Sequence, residues 1–104
     1  MQLVSTETIP GRTVVECYGL VSGSTVRAKH VGRDIMAGFK NLVGGELTGY
    51  TELLAESRQE AMSRMTQQAE AMGANAIVNV RFATSSLSQG AAELYVYGTA
   101  VRVN

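Results

Sequence analysis

Apolar and polar positions along the chain change their period more than once, and each change marks an element. From 13 to 22 the residues are rich in β-formers, among them Val14, Val15, Tyr18, Leu20 and Val21, behind a Pro10-Gly11 turn signal. Alternation puts Val15, Cys17, Gly19 and Val21 on one face and Val14, Glu16, Tyr18 and Leu20 on the other. Neither face is plainly solvated. Gly19 reads as a bulge or a close backbone approach. A further extended stretch, 25–28, continues the strand after Ser22-Gly23-Ser24.

From 33 to 43 the period becomes helical. Ile35, Met36, Phe39, Leu42 and Val43 share one face of a short helix. Asp34 sits in its first turn, where a negative charge suits the helix dipole, and Gly44-Gly45 ends it. A long helix is predicted over 50–72, with Leu54, Ala61, Met62, Met65, Ala69 and Met72 as its apolar stripe. Methionines in such a stripe read as adaptable core fillers before they read as a soft-metal face. Glu60 and Arg64 stand at i,i+4 in the favoured order, and Gly73 stops the helix.

Two strands follow, over 76–83 and 92–103, joined by a polar hairpin-type connection over 85–90. In the last strand Leu94, Val96, Gly98 and Ala100 face one way, and Tyr95, Tyr97, Thr99, Val101 and Val103 the other. The predicted class is α+β: a β-α-β-β subunit with a short extra helix before one long helix, packed on a small mixed sheet. A helical crossover favours a parallel relation between the first and second main strands, right-handed by the usual rule. One long helix covers only one face of that sheet. A second subunit is the economical cover for the other, because monomers rarely leave a large apolar patch open.

Composition adds to this picture. The chain has 104 residues, one domain over 1–104, with 45% hydrophobic and 17% charged residues. A typical charged share is about 25%, so little charge is left to clothe the surface. Nine basic and nine acidic residues cancel. The one basic cluster, Arg27, Lys29, His30 and Arg33, falls short of a nucleic-acid footprint and argues against nucleic acid as the main partner. No basic start and apolar run of a secretory signal is present at the N-terminus, and no stretch approaches the ~18 apolar residues of a membrane span. With the single cysteine, Cys17, this points to the cytoplasm.

No residue pattern in the chain marks a catalytic group. Cys17 lies mid-strand in an apolar run and His30 is the only histidine, so neither a nucleophile pair nor a paired zinc spacing exists. Symmetry leaves one route to a metal site, the gathering of several copies of one ligand about an axis. Gly32, Gly38, Gly44, Gly45 and Gly49 surround the short helix, yet Gly38 precedes Phe39 where a P-loop needs Lys. Helix punctuation and tight packing explain these glycines.

Several segments together resemble the YbjQ-like family of small prokaryotic proteins of unknown function, often labelled "putative heavy-metal-binding". They are Arg33-Asp34, Val43-Gly44-Gly45, Tyr50, Leu54, Arg58, Gly73-Ala74-Asn75-Ala76-Ile77-Val78 and Gly98-Thr99-Ala100-Val101. The resemblance implies a ring-forming homo-oligomer, a pentamer, and a metal ion as candidate cofactor. It also singles out Arg33, Asp34, Tyr50 and Arg58 as a shared polar site or an intersubunit salt-bridge cluster, beside Gly44 and Gly45. Where relatives tend to carry acidic residues, this chain has Arg64 and Arg81-Phe82-Ala83-Thr84, and it has Lys40-Asn41 in place of Arg-Asp. Three functional readings follow. The first is a non-enzymatic homo-oligomeric binding module holding a metal or small molecule at subunit contacts. The others are a purely structural assembly protein, and an enzyme using Arg33, Asp34, Tyr50 and Arg58 near the glycine-rich loops.

Overall fold

The computed structural model describes residues 1–27, 48–88 and 91–104. Within them the chain forms β1 (Gln2–Leu3), β2 (Val14–Arg27), a helix α1 (Thr48–Ala71), β3 (Ala76–Ser88) and β4 (Ala91–Val103). The expected short helix over 33–43 lies outside the described residues. The four strands make one mixed sheet in the order β1-β3-β4-β2. β4 runs antiparallel to both β2 and β3. The two strands flanking the helix are therefore parallel, as expected, with β4 inserted between them.

Three features depart from the sequence reading. The two-residue β1, parallel to β3, has too few residues for any periodicity to show. The polar stretch expected to be a connection continues β3 as far as Ser88, because pairing with Leu94, Glu93 and Ala92 of β4 supplies the order that apolar side chains do not. The simple alternation in β2 fails as well. The register shifts between Val14 and Glu16 and again between Cys17 and Gly19, with Gly19 at φ 104°. Gly19 is thus the bulge that its position suggested. Each bulge adds a residue, so Cys17 lies opposite Val101 while Val21 lies opposite Gly98, on the other face.

Helix α1 lies mainly over β2 and β4. Its buried row is Ser57, Ala61, Met65 and Ala69, spaced by four. Leu54 and Met72, read from the sequence as part of the stripe, are exposed at its ends, and Met62 is half-buried beside it. The small residues have a structural purpose. A Cβ on Gly23 would fall 2.1 Å from the Ala61 carbonyl oxygen and 2.8 Å from the Met65 amide nitrogen, so the helix rests directly on the strand backbone. Val21, Ile77, Val96 and Ala100 complete this core. The helix ends in a Schellman motif: the Gly73 amide donates to Glu70 and the Ala74 amide to Ala69, with Gly73 at φ 94°.

The opposite face of the sheet is covered in part by the chain itself. Ile9 and Val4, in the segment after β1, pack on Ala76, Val78, Val101 and Val103. This departs from the expectation that a second subunit covers that whole face. Asn75 stitches this end together, its side chain donating to the Val103 carbonyl at 2.9 Å and accepting from the Val103 amide at 2.8 Å. Farther along that face, Leu20 and Val26 are exposed.

Candidate functional site

The residues singled out by sequence are only partly placed. Arg33, Asp34, Gly44 and Gly45, with His30, lie outside the described residues. Tyr50 lies in the first turn of α1 by its backbone, and Arg58 is exposed on the same helix. Eight residues separate those two, a rise of about 12 Å along the axis. Cys17 is exposed on β2. Among the described residues no group of three or more His, Cys, Asp or Glu comes together.

Two features stand out instead. On the face opposite α1, beyond the reach of Ile9, Leu20 pairs with Thr99 and Val26 with Glu93. Leu20 is 65% exposed and Val26 54%. Tyr95 and Tyr97 lie between them, their rings stacked at a centroid distance of 5.5 Å. On the helix side, Phe82 pairs with Val96 but is 44% exposed, because α1 leaves β3 largely uncovered. An open groove of about 400 Å³ lies there between Leu3 and the α1 residues Gln59, Met62, Ser63, Thr66 and Glu70. Glu70 alone in that lining carries a charge, so the groove has no acid–base pair.

A small polar cluster closes the C-terminal end of α1, and the sequence reading missed its partnership. Tyr18 donates its hydroxyl to Glu16 Oε2 at 2.7 Å, and Arg102, opposite Glu16 in register, donates to the Gly73 carbonyl at 3.1 Å. The hydrogen bond to Glu16 pushes the Tyr18 phenol above its ordinary value of 10.0, with partial burial and the Glu16 charge adding and Arg102 opposing. Same-face spacing of Glu16 and Tyr18 was visible in the sequence, whereas Arg102 enters only through the strand register.

The same fold is found in a crystal structure of a protein of unknown function of the DUF74 family from Pediococcus pentosaceus. It aligns over 100% of this chain and 98% of its own, with a TM-score of 0.61 at 15% identity. A UPF0145 protein of Hahella chejuensis is 68% identical over 97% of each chain. One from Archaeoglobus fulgidus is 58% identical over 97% of this chain and 94% of its own. The sequence profile of the YbjQ family, described as "Putative heavy-metal-binding", matches residues 1–104. The chain belongs to the YbjQ family. That description names a metal, and the described residues of a single YbjQ copy do not fit one: they bring no ligand cluster together, and their one thiol stands alone on a strand. No helix among them is long and apolar enough to cross a membrane.

Proposed function

We propose that this YbjQ-family chain is a non-enzymatic binding module that acts as a homo-oligomer, a ring of five by its resemblance to the family. A metal ion or small molecule would be held where subunits meet. The observation that supports the reading is the exposed pair Leu20 and Val26 beside the half-buried, stacked Tyr95 and Tyr97, on a face where Ile9 and Val4 pack at the other end. Apolar side chains of that size, left in water on a regular surface, favour association. Ligand groups drawn from more than one copy would also reconcile the family description with the lack of a donor cluster among the described residues of one copy.

Light scattering on the purified chain tests the assembly, with a mass several times 11.1 kDa expected. A clean monomer at micromolar concentration would overturn it. The metal is tested separately, by elemental analysis of protein purified without added metal. A bound metal at ~100 times its Kd stabilises the folded state by about 2.7 kcal/mol. Absence of both stoichiometric metal and any thermal stabilisation by transition-metal ions would remove the metal from this reading and leave the assembly standing.

A further inference from the structure

Among the described strands β2 stands at the edge of the sheet, and it is 14 residues long. A long edge strand invites pairing with another chain, and proteins commonly blunt such edges with Lys, Pro, bulges or a covering element. β2 contains neither Lys nor Pro. Its first half is blunted by the bulges at Val14/Glu16 and Cys17/Gly19, whereas from Gly19 to Arg27 the register with β4 runs without a shift. That second half is the part an incoming strand would match.

Helix α1 leans over this stretch. The Ser22 amide donates not to β4 but to Gln68 Oε1, at 2.9 Å. The Ser24 carbonyl accepts from Arg64 Nη1 at 2.5 Å. In an antiparallel ladder, residues two apart direct their backbone groups the same way, so Ser22 and Ser24 both point away from the sheet. One side chain therefore supplies an acceptor to an outward N–H, and the other a donor to an outward C=O. Arg64 is itself held by Glu60, with Nη2 to Oε1 at 2.6 Å. A charged donor on a carbonyl makes the stronger kind of hydrogen bond. Any strand pairing here must displace both side chains.

We propose that Gln68 and Arg64 close the outer edge of β2 to strand addition. Sheet extension through that edge is thereby prevented, and self-association is directed to other surfaces. The inference does not rest on the oligomeric reading, since a guarded edge serves a monomer equally well.

Amide hydrogen exchange at Ser22, followed over about a hundredfold range of protein concentration, tests it. In the native chain the protection of Ser22 should not depend on concentration. In a Gln68→Ala/Arg64→Ala variant, exchange at low concentration should quicken by about tenfold or more. Protection should then return as concentration rises and edges pair, with a matching increase in sedimentation coefficient. Gln68→Glu retains the acceptor and should keep the native pattern, and circular dichroism verifies that each variant is folded. Concentration-dependent protection of Ser22 in the native chain would overturn the proposal, because β2 would then be where copies meet. So would a folded double variant that gains neither faster exchange nor association.

Discussion

Gly23 shows how much of this fold turns on a single missing methyl. Its absent Cβ would collide with the backbone of α1 at Ala61 and Met65, and backbone cannot swing aside as a flexible side chain does. Gly23→Ala should therefore destabilise the protein by about 2–3 kcal/mol, seen as a fall in Tm of roughly 4–8 °C per kcal/mol. Gly11 gives the contrast. It has φ 77° and open space around its Cβ position, so Gly11→Ala meets only backbone strain, about 1 kcal/mol. If thermal melts place Gly11→Ala below Gly23→Ala in stability, the close approach of helix and strand is not what fixes that glycine. Tyr18 carries a second residue-level prediction. Its hydrogen bond to Glu16 raises the phenol's folded pKa above 10.0, which means that folding favours the protonated form. The resulting stabilisation is fully present below pH ~10 and is lost as pH rises through the higher folded value. Ultraviolet titration of the native chain minus Tyr18→Phe should show one phenol ionising above pH 10, and the variant should lose stability less steeply over that alkaline range. A difference midpoint at or below 10 would exclude the interaction in solution.

Among the elements, α1 is held by a narrow row. Met65 is its largest fully buried side chain and lies between Ala61 and Ala69, so the contact has no neighbour able to fill its place. Met65→Ala should cost about 2–5 kcal/mol, measured by denaturant unfolding, whereas truncation of exposed Leu54 to alanine should stay within about 0.5 kcal/mol. Equal losses at the two sites would mean that the sequence stripe, not the observed row, describes the packed face. That comparison also shows what the sequence made legible. The helix, its stop at Gly73, the bulge at Gly19 and the two faces of β4 all follow from local chemistry: period, glycine conformation and alternation. Features that depend on partners distant in the chain were not legible. Ser57 joins the buried row because Thr25 and the strand beneath it come close. The Ser85–Ser88 stretch becomes strand because β4 is beside it. Ile9 becomes core because the sheet brings Ala76 and Val101 under it. Of the candidate site, Arg58 is exposed on α1 and Tyr50 is placed by its backbone in the first turn of the same helix, while Arg33 and Asp34 lie outside the described residues.

At the scale of the molecule, the strands set the shape. Thirteen residues at β-strand rise extend about 43 Å, and the radius of gyration is 16.9 Å, against the roughly 13 Å of a compact chain of this length. A long, thin sheet has much surface for its volume. Among the described residues, α1 lies over β2 and β4, Ile9 covers one end of the reverse face, and Leu20 and Val26 are exposed at the other. Leu20→Lys and Val26→Lys place a charge where each side chain is already more than half exposed. The fold of an isolated copy should therefore change in stability by no more than about 0.5 kcal/mol. Burial of that charge in a subunit contact would cost several kcal/mol, enough to shift an assembled species towards monomer by a factor of 100 or more at ~1.4 kcal/mol per tenfold. Sedimentation velocity on the double variant should accordingly show a folded particle of about 11.1 kDa where the native chain sediments as a larger one. If the variant keeps the native assembly mass, the Leu20 and Val26 end of that face is not the contact. The exposed flank at Phe82, on the helix side, would then be the surface to charge next.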